Sequence, residues 1–402
     1  MDQKTLIDAL ARREFLKVAG VGALGLALPE VALGRSLAPG PPKELLVYVG
    51  TYTSGRSEGI YLYRLNPSSG ELKHVATTKD VKDPSYLTLA PNRRYLYAVN
   101  ELEEFAGKKS GALSAFAVNQ RTGELRLLNQ QPSLGGAPCY VVVDRTGRFV
   151  LVANYSGGNV AVLPVRRDGS LGEPIDVQQN EGSSINTERQ QGPHAHCIEL
   201  DPTNRFAYVC DLGADKIMIF RFDRRQGKLT AGKTPWVPAK PGAGPRHLTF
   251  HPSGKYAYVL NELNATVTAF AHDRVHGNLS EVQTVPTLPR EPTAADTGAD
   301  IHVSPDGRFL YCSNRGHDSI AGFMINPRNG KLDFIAHEPT GGKTPRNFVI
   351  DPTGAFLLVA NQRSDNIVTF RRDRKTGRLT PAGHVAEAPS PVCLKFARII
   401  ER

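Results

Sequence analysis

The 402-residue chain is poor in several residue types and patterns, and each shortage excludes something. It has five cysteines, three methionines and one tryptophan. No Cys-x-x-Cys and no His-Glu-x-x-His occurs, which removes the common dithiol, zinc-ribbon and helical metalloprotease patterns. The longest apolar stretch, Val18 to Leu28, falls short of the about 20 residues needed to cross a hydrocarbon core. Nothing beyond it keeps an apolar period near 3.6, so a helical protein is not expected. The 49 Lys and Arg outnumber the 39 Asp and Glu, for a net charge of +10 and a pI near 9.3. An anionic ligand or surface fits that balance. The basic residues form no run with interleaved aromatics, so nucleic acid is not an expected partner.

The first residues read as a targeting signal rather than as part of a fold. Arg12-Arg13-Glu14-Phe15-Leu16-Lys17 matches the twin-arginine export pattern, Val18 to Leu28 supplies its apolar region, and Ala32-Leu33-Gly34 offers a cleavage site. This divides the chain into a signal over 1–34, a linker over 35–44 and a folded domain over 45–397. Gly20-x-Gly22-x-x-Gly25 formally matches a dinucleotide fingerprint. No strand precedes it and no βαβ unit surrounds it, so no nucleotide is expected there. The implied partner during export is the twin-arginine translocation machinery. The destination is the periplasm or the exterior, with no lasting membrane insertion once the signal is removed.

What the chain has in abundance is turns, with 38 Gly and 29 Pro. Six segments repeat one pattern: an apolar strand, a tight turn, an aromatic-rich strand ending in Asn or a substitute, a third strand, then a Gly-x-Leu turn. They begin at Ser85, Cys139, His196, Arg246, Ile301 and Arg346, and their first turns open at Ala90, Asp144, Asp201, His251, Ser304 and Asp351. His251-Pro-Ser-Gly254, Ser304-Pro-Asp-Gly307 and Asp351-Pro-Thr-Gly354 put Pro where φ is preset and Gly where φ turns positive. Four short strands per unit of about 53 residues describe a propeller blade. Leu45–Tyr52 and Gly59–Leu72 supply the outer part of a seventh blade that lacks its innermost strand. Pro391-Val-Cys-Leu-Lys-Phe396 reads as that strand, which closes the ring and removes its sheet edges. The expected fold is an all-β, seven-bladed β-propeller closed by the C-terminal strand.

Two aligned columns break the repetition. Near the start of the inner strands stand Ser85, Cys139, His196, Arg246, Ala299 and Arg346; around the end of the second strands stand Tyr52, Glu101, Tyr155, Leu212, Glu262, Arg315 and Gln362. A purely structural column would repeat one residue type. These vary and are rich in His, Glu, Arg and Tyr, so they are expected to meet at one mouth of the channel. His196, Arg246, Glu262 and Arg315 are the candidate catalytic residues: arginines hold charge or a developing oxyanion, and His or Glu activates water. His194, Arg346, Tyr155 and Glu101 are the candidate substrate-binding residues. A structural Arg–Glu bridge is the competing reading.

The repeated Asn (Asn100, Asn154, Asn261, Asn314, Asn361) is expected to be structural, its amide bonding the loop that follows its strand. His247, His302 and His317 read as loop or strand-face residues. Cys197 and Cys210 fall opposite each other across a hairpin, which permits a disulfide in a non-hydrogen-bonded pair; buried free thiols are the simpler expectation.

Several motifs resemble a known family. Tyr48-Val-Gly-Thr-Tyr-Thr-Ser54, Gly59-Ile-Tyr-Leu-Tyr63, Gly136-Ala-Pro-Cys-Tyr140, Asn154-Tyr-Ser-Gly-Gly-Asn159, Gly192-Pro-His-Ala-His196, Gly244-Pro-Arg-His247 and Ser313-Asn-Arg-Gly316 are similar to those of the seven-bladed lactonases. That family includes propeller-type 6-phosphogluconolactonases and fungal carboxymuconate-lactonizing enzymes. The resemblance spans Leu45 to Phe396 and implies hydrolysis of an anionic or sugar lactone to its acid, without a cofactor or metal. It places the family's His, Arg, Glu and Arg on His196, Arg246, Glu262 and Arg315. An exported chain is expected to meet an unphosphorylated lactone. The alternatives are a carboxymuconate-type cycloisomerase and a non-catalytic exported binding propeller.

Overall fold

The computed structural model describes residues 45–398; the signal expected over 1–34 and the linker over 35–44 lie outside the described residues. Seven four-stranded antiparallel sheets follow one another along the chain. We number the blades 1 (45–79 with 391–398), 2 (87–132), 3 (138–179), 4 (195–238), 5 (245–286), 6 (297–339) and 7 (345–387). The innermost strands touch one another around the axis. Among the described residues the one departure from strand and turn is a single 3-10 turn at Gln362–Ser364.

Burial follows position in the blade. The second strands are covered on both faces by neighbouring blades and are buried along their length, as in Phe149–Asn154, Phe206–Asp211 and Phe356–Asn361. They therefore read as continuous apolar runs. The outermost strands are covered on one face and alternate, as in Leu379–Glu387.

The two most repeated features of the sequence recognise each other. A tyrosine in the second strand donates its hydroxyl to the carbonyl of the glycine in the next blade's outer turn: Tyr48 to Gly123 (2.5 Å), Tyr97 to Gly169 (3.0 Å), Tyr208 to Gly277 (2.7 Å), Tyr258 to Gly330 (3.1 Å) and Tyr311 to Gly377 (2.7 Å). Those glycines sit at φ between 73° and 86°. A Cβ on Gly330 would lie 2.4 Å from the Tyr256 ring, so glycine is required on both counts.

The C-terminal strand Pro391–Arg398 pairs with Leu45–Thr51 from Leu45↔Arg398 to Thr51↔Pro391, completing blade 1 from inside. Two expectations need correction. The inner strand of blade 6 begins at Thr297, not Ile301, because a register irregularity between Gly298 and Ile301 hides its start. The repeated Asn amides mostly bond carbonyls in the connection entering the blade, as in Asn154 to Ser133 (2.9 Å), Asn314 to Thr287 (2.8 Å) and Asn361 to Thr340 (3.1 Å). The folded blade brings that segment, rather than the following loop, against the end of the second strand. Cys197 and Cys210 pair across the hairpin as expected, and both are buried free thiols, the simpler of the two expectations.

Antiparallel blades give the ring two distinct ends. The turns joining strands one and two, and three and four, lie at one end, here the turn end. The links between strands two and three, and from blade to blade, lie at the other. That second end carries both varying columns.

Candidate active site

A cavity of about 270 Å³ opens at that second end, lined by Glu101, Cys139, Tyr155, Arg189, His196, Glu262, Thr297, Arg315 and Arg346. Six of the eight expected residues line it. Arg246 lies beneath it, fully buried at 2% exposure. His194 does not line it: its ring stacks on Tyr155 at 4.5 Å and its Nδ1 lies 3.0 Å from the Tyr155 carbonyl.

Glu262 is the hub. Its Oε1 accepts from Arg189 (2.7 Å), and its Oε2 meets Arg246 Nε (2.8 Å) and Arg315 Nη2 (3.0 Å). Burial pushes the carboxyl up, but Arg315, Arg246 and Arg189 together outweigh it and hold it well below the usual carboxylate range. Glu262 is thus ionised with both oxygens occupied. On the other wall, Tyr52 donates to Glu101 (2.9 Å) and accepts from Arg346 (2.9 Å), and Ser85 also donates to Glu101.

His196 is buried, and burial followed by the Arg246 charge depresses its pKa well below the usual imidazole value. It is neutral at pH 7. Its Nδ1 faces the Cys139 sulfur at 3.7 Å, while no described residue bonds its Nε2. Burial raises the Cys139 thiol far above its ordinary value, so this Cys–His contact carries no thiolate. Arg315 is pushed down to about 10 by burial, against the pull of Glu262, and stays charged. Four arginines (189, 246, 315, 346) against two carboxylates (101, 262) leave an excess of two positive charges around the cavity.

Arg246 is held by a chain running down the channel axis. Its Nη1 donates to His247 Nε2 (3.1 Å) and to the Ala299 carbonyl. An arginine only donates, so His247 carries its proton on Nδ1, which donates to Asp300 Oδ1 (2.8 Å). Asp300 Oδ2 accepts from His302 Nε2 (2.8 Å) and Asn347 Nδ2 (2.5 Å). His247 is therefore a buried member of the arginine's support rather than a strand-face residue.

The family whose description reads lactonase, 7-bladed beta-propeller, matches residues 46–396. The 6-phosphogluconolactonase of Bacillus subtilis is 40% identical over 289 residues, 72% of this chain and 80% of its own. That of Formosa agariphila is 39% identical over 296 residues, 72% and 82% of the two chains. The solved periplasmic gluconolactonase of Pseudomonas aeruginosa superposes with a TM-score of 0.84 at 36% identity, over 89% of this chain and all of the other. The chain belongs to the seven-bladed propeller lactonase family.

Within this lactonase the columns missed two cavity residues, Thr297 at the start of the inner strand of blade 6 and Arg189. Arg189 comes from the connection 180–194, outside any repeat. Asn186 Oδ1 accepts the Glu188 and Arg189 amides (3.1 and 3.0 Å), and Gln190 anchors the loop on the Leu212 carbonyl (2.9 Å). Two formal motifs are discharged by their setting. Gly55-Arg-Ser-Glu-Gly59 resembles a nucleophile elbow, but the Ser57 hydroxyl is buried against Thr51 (2.6 Å) and bonds no histidine among the described residues. Gly227 to Thr234 resembles a phosphate loop but runs along the outer strand Lys228–Pro238, with no helix after it.

Proposed function

We propose that the lactonase opens an anionic or sugar lactone by water attack, with His196 as general base and the arginines as charge holders. His196 Nε2 takes a proton from the attacking water as its oxygen bonds to the lactone carbonyl carbon. The carbonyl oxygen becomes an oxyanion facing Arg315 and Arg346. Collapse breaks the ring C–O bond, and the leaving oxygen takes the proton from the His196 imidazolium, giving the hydroxy acid. Glu262, with both oxygens engaged by guanidinium groups, organises Arg189, Arg246 and Arg315 instead of taking a proton. Arg246 acts from below.

The observation that carries this reading is a neutral imidazole with a free Nε2 beside two uncompensated positive charges. One excess charge suits the oxyanion; the other suits an anionic group on the substrate or the product carboxylate. The cavity lies near the small end of ligand pockets, about 300–1,000 Å³, which suits a monosaccharide-sized ligand. The same arginines would also hold the carboxylates of a muconate, so the cycloisomerase reading keeps one supporting observation.

Acid release from gluconolactone and 6-phosphogluconolactone, corrected for spontaneous hydrolysis, is the test, alongside ultraviolet loss with carboxymuconate. Turnover of a lactone that His196→Gln abolishes supports the proposal. Muconate turnover without acid release would replace it. Arg12 and Arg13 direct export in this reading, supported by the periplasmic relative. Replacing both by Lys should leave active protein in the cytoplasm, and unchanged periplasmic recovery would refute it.

A further inference from the structure

The net charge of the protein is segregated between the two ends of the ring. The thirteen strand-to-strand connections at the turn end (66–71, 90–94, 119–124, 144–148, 165–175, 201–205, 224–227, 251–255, 273–278, 304–308, 326–331, 351–355 and 373–378) hold 18 Lys and Arg against 10 Asp and Glu. The fourteen connections at the cavity end hold 9 against 14. One end is +8 and the other −5.

Three of the ten acidic side chains at the turn end are withdrawn from its outward face. Its aspartates are consumed in building the turns. Asp144, Asp201 and Asp351 are buried and accept the amides of their own turns. Asp273 and Asp373 likewise accept amides two and three residues on. Arg148, Arg205 and Arg308 each donate to a backbone carbonyl in the next blade's outer turn (those of Arg224, Arg274 and Arg374). These neutral acceptors fix the guanidinium groups in place without cancelling their charge.

We propose that the turn end is a docking face for an anionic phospholipid bilayer. Turn tips from every blade form one rim, which presents cations to a surface rather than to a strand in a groove. The thirteen connections contain no Phe, Tyr or Trp, so there is no platform on which nucleic acid bases could stack. Val275, 66% exposed, is the one large apolar side chain exposed in these connections among the described residues. Docking is therefore electrostatic and salt-sensitive, without insertion. It leaves the cavity facing away from the bilayer and open to substrate.

The test is co-sedimentation of the full chain with vesicles of phosphatidylcholine alone or in equal parts with phosphatidylglycerol, at low and high salt. Arg121, Arg167, Arg224, Arg225, Arg328 and Lys375 are exposed, and their side chains make no hydrogen bond to a described residue. Changing all six to Gln should weaken binding to the anionic vesicles by about tenfold or more, since each basic residue near such a surface contributes about 1 kcal/mol. Changing Lys82, Lys108, Lys109, Lys240, Lys343 and Arg363 at the cavity end removes the same charge and should leave binding intact. Vesicle-bound wild type should keep its turnover. The proposal fails if the wild type ignores anionic vesicles at low salt or binds neutral ones equally. It fails if both variants bind alike, if bound enzyme is inactive, or if duplex DNA at equal phosphate captures the protein in preference to vesicles.

Discussion

The two ends of the ring follow opposite rules. At the turn end the blades largely repeat themselves: Asp or Ser opens four of the six inner turns, Gly recurs in the outer one, and at five of the seven junctions a tyrosine of the preceding blade bonds that glycine's carbonyl. At the cavity end the corresponding positions differ from blade to blade, running through Ser85, Cys139, His196, Arg246 and Arg346. Repetition builds a ring that any blade could join. Departure from repetition places one imidazole, four guanidiniums and two carboxylates at a single mouth. The charges show the same division, because the acidic connections of the cavity end surround a cavity whose own wall is cationic.

The largest effects should come from removing the departures. His196→Gln keeps shape but loses the base, and should lower turnover by about 10²–10⁴. Arg315→Ala should raise the barrier by about 2.7–4 kcal/mol if its guanidinium meets the oxyanion. Asn154→Ala, a repeated position, should lower stability and spare activity per folded molecule. Steady-state kinetics on the best lactone, with folded fraction measured by urea titration, checks all three. Full activity in the His196 and Arg315 variants, or loss in the Asn154 variant, would break the contrast between departing and repeated positions.

A smaller effect should follow from loosening the support beneath the cavity. Asp300→Asn disturbs the bonds that fix His247 and, through it, Arg246. Displacing a positioned group by about 1 Å can cost up to 10²-fold, so a loss in kcat of about 10–100-fold is expected. KM should change less, because Arg189, Arg315 and Arg346 still line the cavity. An unchanged kcat with reduced stability would reduce the chain to a structural plug.

The fold was legible because its signals recur: turn chemistry, spacing and an incomplete first blade each pointed to seven blades and a C-terminal closure. His196, Arg246, Glu262 and Arg315 were legible as interruptions of that recurrence. Arg189 was not, since it belongs to the 180–194 connection and has no column to interrupt. Thr297 was missed because the irregularity in its strand hid the strand's start. His247 and Asp300 look like ordinary strand residues; only their burial and mutual bonds reveal the chain from Asp300 to Arg246.

Buried neutral histidines should also make the cavity end acid-sensitive. Burial, then Arg246, pushes His247 down to about 3, and His196 is depressed by the same causes. Both remain neutral in the fold, whereas the unfolded chain binds a proton on each below about pH 6.5. Their contribution is complete above that pH and is lost as pH falls toward the folded values. The slope is about 1.4 kcal/mol per pH unit for each histidine. Urea midpoints between about pH 6.5 and pH 5 read this effect above the range in which ordinary carboxylates titrate. His247→Gln should flatten the slope. A wild type whose midpoint is level across that window would show that these rings are not held neutral.

The smallest expected change lies at the turn end. Tyr258→Phe removes one hydroxyl bonded to the Gly330 carbonyl at 3.1 Å while keeping the buried ring. A single hydrogen bond of this kind contributes about 0.5–1.5 kcal/mol. The protein already contains the comparison, because blades 3 and 7 carry Leu151 and Leu358 at the aligned positions and close without the hydroxyl. The latch is therefore one contribution among seven similar junctions. Tyr311→Phe, one blade away and bonded to a different glycine, should add to it almost independently. Both variants should leave lactone turnover unchanged when normalised to folded protein. A loss of activity from either would mean that strain at the turn end reaches the cavity, and that the two ends are coupled rather than separate.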